Sequence, residues 1–381
     1  MDLENICVYC MGKVNTQSGF CMECGRKNGT YIQAPYHLPP LSVLKGRYLV
    51  GKYLGEGGFG ITYIARDLYN GQKVAVKELF LSGVLEREDC KVFLKENDED
   101  SRTYYRLCKA QFLKEARILQ DLEDKRGVVS FLDFFQENNT AYIVMEYLPG
   151  DDLSVYLKKR GGKISFNDAF RLLRPIMRSL IILNEYGIFH RDISPDNIRC
   201  MPDGRMKIMD FGGAKNCCLD IVQNSETLIT LKNGYAPPEQ YKENYKIGPW
   251  MDVYAMAATL YRCVTGSVPP AASERRNADR IKLPSQLGAD ISYAAEQVVM
   301  RGLALSTEER YLDMRGFYTA LKKANPIEDT SQTYVVHISD QAEKEDKDDT
   351  PERDIVKYVV IIWILAVALI LYIYLYFRGI I

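Results

Sequence analysis

An α+β fold in two lobes, the first rich in strands and the second in helices, is what this sequence predicts. Three observations carry that prediction. Short β-rich runs dominate residues 48–147, helical periodicity dominates after Gly150, and the two ends resemble neither lobe. In order, residues 48–54, 60–66 and 73–79 read as strands. The glycine-rich segment 55–60 and the Asn70-Gly71 turn separate them, as in antiparallel hairpins. Residues 82–108 are charged and carry no clear period. Residues 110–122 place Phe112, Leu113, Ala116, Leu119 and Leu122 on a helical repeat, and 128–136 and 140–147 read as two more strands. Helices are expected over 165–186, 251–265, 291–305 and 314–324, with strands and loops between 188 and 238. No internal repeat is visible.

The chain has 381 residues with 49 Lys+Arg against 50 Asp+Glu, so no basic field marks nucleic acid as the main partner. Four of the 10 cysteines crowd into the N-terminus as Cys7-x-x-Cys10 and Cys21-x-x-Cys24-Gly25. Two such pairs suit four-thiolate coordination of zinc, and a closed set of four sulfurs makes a structural site. So short a segment cannot bury a core of its own, and a metal clip would stabilise it directly. Residues 1–30 are therefore expected as a zinc ribbon, and 31–47, with Pro35, Pro39 and Pro40, as a linker. At the other end, residues 358–377 are unbroken apolar sequence. As a helix this run is about 30 Å long, the thickness of a bilayer core. Lys357 and Arg378 bracket it, and Trp363, Tyr372, Tyr374 and Tyr376 suit the interfaces. Residues 324–357 are acidic and too polar to bury a core, which reads as a disordered tether. The N-terminus shows no signal peptide. The expectation is a protein in the cytoplasm, held at the cell membrane by a single-pass C-terminal anchor.

The chemistry lies between these ends. Gly55, Gly57 and Gly60 form a G-x-G-x-x-G loop whose backbone amides can close over phosphates. β-like residues follow it (Ile61-Thr62-Tyr63-Ile64-Ala65), whereas a dinucleotide-binding loop opens a helix. Next come Val74-Ala75-Val76-Lys77, then His190-Arg191-Asp192-Ile193-Ser194-Pro195-Asp196-Asn197, then Asp210-Phe211-Gly212. In this order and with these gaps, residues 48–323 resemble a bacterial eukaryotic-like serine/threonine protein kinase domain. The resemblance implies a bilobal fold, ATP, and Mg2+ or Mn2+. It implies that Lys77 touches the phosphates and pairs with Glu115, and that Glu146–Leu148 form the adenine hinge against Ala75. Asp192 would receive the substrate hydroxyl proton, and Asn197 and Asp210 would hold the metal. Gly234-Tyr235-Ala236-Pro237-Pro238-Glu239 resembles the end of an activation segment, where Glu239 should pair with Arg310 and Asp252 should brace the catalytic loop. Arg191 implies a pocket for an activation-loop phosphate, with Ser225, Thr227 and Thr230 as candidate phosphosites. The Cys217-Cys218 pair reads as two ordinary thiols.

Two departures from the family pattern occur together. Ser194 stands where the catalytic loop normally has a lysine, and Lys232 stands where the activation segment normally has a threonine. In the family those two side chains meet. The expectation is an exchanged pair, with Lys232 reaching the phosphate from the opposite side and Ser194 accepting its hydrogen bond. Thr62 replaces the valine that usually packs on adenine. The rival reading is a pseudokinase scaffold that binds nucleotide and partners without efficient catalysis. Protein substrates are the expected partners. Autophosphorylation of the activation segment follows from the resemblance, and self-association at the membrane would favour it in trans.

Overall fold

Alternation along the first long strands divides their buried residues between two cores. The computed structural model describes residues 5–57, 60–87, 91, 94–96, 99–121, 126–211, 231–241 and 245–325. Its largest sheet has six strands: β1 (Val43–Leu44), β2 (Tyr48–Gly57), β3 (Gly60–Asp67), β4 (Lys73–Glu78), β7 (Phe131–Glu137) and β8 (Thr140–Glu146). Their order is β1-β2-β3-β4-β8-β7, and every pairing is antiparallel. Tyr48, Val50, Tyr63 and Ala65 face the main core, whereas Leu49 and Ile64, on the other side of the pleat, face the N-terminal ribbon. That second apolar face is why Leu49 and Ile64 are buried instead of facing solvent.

The ribbon packs there through Ile6 and Met11, both buried. Lys52 N donates to the Val8 carbonyl at 2.8 Å, and Arg66 Nη1 donates to the Met11 carbonyl at 2.9 Å. A Cβ on Gly51 would lie 2.3 Å from Met11 Cε and 2.6 Å from the Val8 oxygen, so only glycine admits so close an approach. The stretch 31–47, expected as a linker, packs onto the sheet. Leu38 is buried in the main core, Val43–Leu44 pairs with β2, and Lys45 Nζ reaches Asp133 at 2.8 Å.

Residues 82–108 also hold more structure than their composition suggests. They contain a small hairpin, β5 (Leu85–Arg87) with β6 (Leu94–Glu96), and the first turns of α1 (Glu99–Asp121). The helix begins eleven residues before the expected position at 110, because Tyr105 and Cys108 extend the buried stripe of Phe112, Ala116 and Leu119. A tyrosine and a cysteine amid charges give a weak periodic signal.

The second lobe is built on α2 (Leu153–Lys159), α3 (Phe166–Glu185), α4 (Trp250–Thr265), α5 (Ala272–Arg275), α6 (Tyr293–Gly302) and α7 (Met314–Ala324). Ser165 caps α3 by accepting from Asp168 N at 3.1 Å, and Gly266 in the left-handed conformation ends α4. α4 is buried almost all round and forms the lobe's axis. A three-stranded sheet, β9 (Asp151–Asp152), β10 (Ile198–Cys200) and β11 (Met206–Ile208), faces the cleft. Among the described residues no helix is long and apolar enough to cross a membrane. The expected span 358–377, nearly all of the tether, and Gly212, Cys217, Cys218, Ser225, Thr227 and Thr230 lie outside the described residues.

Candidate functional site

One hairpin carries most of the site. Register pairs Ile198 with Ile208, and Met209 N donates to the Asn197 carbonyl at 2.8 Å. The loop before β10 and the loop after β11 are thereby held side by side, which sets Asn197 beside Asp210 without long-range luck. The catalytic-loop backbone is fixed from below. Asp252, fully buried on α4, accepts from His190 N at 2.9 Å and from Arg191 N at 2.8 Å, as expected from the sequence. His190 Nε2 donates to the Met209 carbonyl at 2.8 Å, which leaves Nδ1 to accept from Asp192 N at 3.3 Å. Complete burial pushes the His190 pKa below its ordinary value, consistent with this neutral tautomer. Arg191 and Asp210 both hold left-handed backbone, at φ 60° and 56°, a conformation that costs about 1 kcal/mol for a non-glycine residue. Both therefore depend on the packing around them.

Across the cleft, Lys77 on β4 meets Asp210 Oδ1 at 2.9 Å. The Lys77 ammonium is the main reason that the Asp210 carboxyl is held below its usual range, with burial opposing. Phe211 packs on His190 and Phe131, and an apolar cavity behind Lys77 is lined by Phe112, Ala116, Phe131, Met145 and Phe211. Glu115 lies on α1, but its side chain is outside the described residues. A Cβ on Gly60 would lie 2.5 Å from the Glu78 oxygen, whereas Gly55 and Gly57 have open space around them. On the connecting strand Ala75 pairs with Met145, and Leu148 is buried just beyond. Glu146 is engaged by Lys207 and by Ser130 N at 2.7 Å, so its side chain braces the connection from outside.

Ser194 and Lys232 meet. Lys232 Nζ donates to Ser194 Oγ at 2.7 Å and to Asn197 Oδ1 at 3.2 Å, and lies 3.8 Å from Asp196 Oδ2. Tyr235 N and Ala236 N both donate to the Lys232 carbonyl, fixing the turn that presents it. Asn197 Nδ2 donates to the Asp192 carbonyl at 2.7 Å, leaving Oδ1 towards the cleft. A groove beside this cluster is lined by Arg191, Asp192, Lys232, Tyr235 and Gln240. Arg191 Nε and Nη1 are buried with no hydrogen-bond partner among the described residues. The oxygen donors of Asn197 and Asp210 suit a hard divalent cation such as magnesium.

A family model for the protein kinase domain matches residues 48–311. The chain belongs to the protein kinase family. A probable serine/threonine-protein kinase of Clostridium acetobutylicum is 28% identical over 330 residues, 81% of this chain and 46% of that protein. Serine/threonine-protein kinase PknE of Mycobacterium bovis is 29% identical over 274 residues, 70% of this chain and 44% of that protein. Among solved structures, the apo form of PpkA-294 superposes with a TM-score of 0.65 at 30% identity, covering 75% of this chain and 99% of its own. The kinase chain spans about half the length of the curated relatives it matches.

Outside the kinase domain, the four N-terminal cysteines converge. Their sulfurs lie within 4.8 Å of one another, with Cys7–Cys24 at 3.7 Å and Cys10–Cys21 at 3.5 Å, and none is in a disulfide. Tetrahedral zinc with Zn–S bonds of about 2.3 Å requires sulfurs about 3.8 Å apart, which this spacing fits. Burial opposes ionisation of Cys21, but the amides of Cys24 and Glu23 aimed at its sulfur outweigh it and bring the pKa down to about 7.

Sequence reasoning missed three groups of residues. Arg87 donates to Glu78 at 2.5 Å in a fully buried pair. Tyr36 and His37 hold Glu56 of the glycine loop. Asp196 adds a carboxylate beside Lys232. Only Asp196, inside a motif, carried any sequence signal.

Proposed function

We propose that this chain is a serine/threonine protein kinase that transfers the γ-phosphoryl group of ATP to hydroxyls of protein substrates. The observation that carries the reading is the convergence of Lys77, Asp210, Asn197 and Asp192 across one cleft, with Lys77 and Asp210 in contact. Gly55, Gly57 and Gly60 would cradle the phosphates, and Ala75, Glu146 and Leu148 would border the adenine. Asn197 and Asp210 would hold magnesium, which when bound neutralises charge on the phosphates. Asp192 receives the proton of the substrate hydroxyl as its oxygen bonds to the γ-phosphorus. The bond from that phosphorus to the bridging oxygen breaks, and its electron pair leaves with ADP. The four-cysteine cluster would hold a structural zinc. The Arg191 nitrogens that find no partner among the described residues suit a phosphate on Ser225, Thr227 or Thr230. The apolar run 358–377 supports a C-terminal anchor that keeps the kinase at the cytosolic membrane face, where self-association would favour phosphorylation in trans.

Lys232 takes the place of the missing catalytic-loop lysine in this reading, and its contact with Ser194 supports the exchange. The ammonium stabilises charge building on the transferring phosphoryl oxygens. Lys232→Met should lower kcat on the order of a hundredfold, about 3 kcal/mol of transition-state stabilisation, while changing ATP affinity little. Turnover like wild type would end this assignment. The wider reading is tested with labelled ATP and magnesium on the purified chain beside Asp192→Asn. Label on serine or threonine in the wild type alone is expected. A wild type that binds ATP but transfers nothing to itself or to a panel of proteins would instead favour the scaffold.

A further inference from the structure

Glu56 sits between the first two glycines of the phosphate loop, and its carboxylate is held from outside the kinase domain. His37 Nε2 lies 2.7 Å from Glu56 Oε2, and Tyr36 Oη donates to both carboxylate oxygens at 3.2 and 3.3 Å. The two holders are themselves fixed. His37 is only 3% exposed and packs against Tyr53 at 4.7 Å between ring centres. Tyr36 stacks on Phe80 at 5.7 Å, and its carbonyl accepts from Arg87 Nε at 2.9 Å. Leu38 N donates to the buried Tyr63 Oη at 3.0 Å. Upstream, the ribbon is tied to β2, the strand that runs into the loop, by Lys52 N donating to the Val8 carbonyl at 2.8 Å. Tyr53 N on β2 donates to Tyr31 Oη of the segment after the ribbon at 3.1 Å, and Lys73 on β4 meets Glu23 of the ribbon at 2.6 Å.

Glycine-rich backbone is expensive to order, at about 1–2 kcal/mol per residue fixed. A ligand that must order such a loop binds more weakly than one meeting a loop already shaped. A free carboxylate at Glu56 would also repel a polyphosphate. We propose that Tyr36 and His37 are positioning residues for nucleotide binding. They act through Glu56 to pre-shape the phosphate loop and to keep its carboxylate on the N-terminal segment, away from the phosphates. The inference rests on the kinase reading for its ligand. Its partner class is a nucleoside triphosphate, and the contact adds affinity for nucleotide without entering the chemical step. Glu56 is 43% exposed, so the contact is one of the weaker kind and the effect is modest.

The test is calorimetric binding of a non-hydrolysable ATP analogue with magnesium to the full chain, with kcat and KM for ATP measured beside it. Tyr36→Phe keeps the stack on Phe80 and removes one hydroxyl, and His37→Gln keeps a polar group that can still donate. Glu56→Ala removes the carboxylate that both hold, and its exposure makes it safe for folding. Tyr36→Phe is expected to weaken analogue binding and raise KM about three-fold with kcat within two-fold of wild type. His37→Gln should retain more affinity than His37→Leu. Once Glu56 is alanine, Tyr36→Phe should have no further effect. Analogue affinity unchanged in both Tyr36→Phe and His37→Leu, with the variants folded, would overturn the proposal while leaving the kinase reading standing. So would equal losses from Tyr36→Phe with and without Glu56. A wild type that binds no nucleotide would remove both.

Discussion

Among the described residues each lobe holds a buried arginine–carboxylate pair, and the two pairs are built differently. In the helical lobe, Arg310 faces Glu239 with two parallel contacts, 2.7 and 2.9 Å, one to each carboxylate oxygen. Its remaining N–H groups go to the carbonyls of Ala304, Leu305 and Trp250, so all five guanidinium donors are accounted for. In the strand lobe, Glu78 takes one contact from Arg87 and two from phenols, Tyr142 at 2.8 Å and Tyr63 at 3.2 Å. The first pair is a fork that locks the activation-segment end to the helices. The second is a carboxylate solvated by hydroxyls, with a single ionic contact. Buried charge is therefore tolerated by two routes here, complete pairing or dense hydrogen bonding, and each should fail in its own way.

Arg310→Ala should show the largest loss. It strands a buried carboxylate and three carbonyls at once, and it removes the guanidinium packed over Tyr254. Breaking such a pair from one side costs about 3–5 kcal/mol. Chemical denaturation of the full chain should show that loss. Arg310→Lys should recover little of it, because an ammonium cannot reproduce the fork. Full recovery by lysine would mean that charge alone matters and would erase the distinction from the strand-lobe pair.

This difference also marks where the sequence could be read. Glu239 and Arg310 are legible because both lie in stretches with a recognisable family pattern, as do Lys77, Asp192, Asn197, Asp210 and Asp252. Phosphoryl transfer needs those groups at fixed places on fixed elements, so their spacing in the chain is constrained. Lys232 and Ser194 were legible by counting within the same pattern, and their side chains do meet. Arg87 was not. It lies in a charged stretch without a period, and nothing local says that a hairpin will carry it into the core against Glu78. Tyr36 and His37 were hidden for a related reason. A proline-bearing segment reads as a linker, and its anchoring depends on surfaces formed by β2, β3 and the ribbon. The helix start was missed where a buried tyrosine and cysteine were diluted by charge. What stayed illegible is what long-range packing decides in parts of the chain that have no family template.

Arg87→Leu sharpens the comparison through pH. Burial raises the Glu78 pKa above its ordinary value even with Arg87 present, because desolvation outweighs the guanidinium and the two phenols. Burial, and then the Glu78 charge, push Tyr63 and Tyr142 far upward as well, so both stay protonated donors. A carboxyl whose folded pKa is raised contributes stability that is fully present below its unfolded pKa. That contribution is lost as pH rises through the folded value. Removing Arg87 deletes the strongest influence holding Glu78 down, so its folded pKa rises further and the variant's penalty grows with pH. At pH 8 the loss should be about 2–3 kcal/mol, below that of Arg310→Ala because the phenols remain. On acidification the penalty should shrink, at a slope no steeper than about 1.4 kcal/mol per pH unit, wherever Glu78 takes a proton and becomes a neutral partner of the hydroxyls. Urea denaturation of wild type and variant at pH 5.5, 6.5 and 8 measures the difference directly, cancelling groups that titrate alike in both. A penalty independent of pH would mean that Arg87 does not shift the Glu78 proton equilibrium. Burial and the phenols would then set the state of that carboxyl by themselves, and the strand-lobe arginine would matter chiefly for the chain it pins at Tyr36.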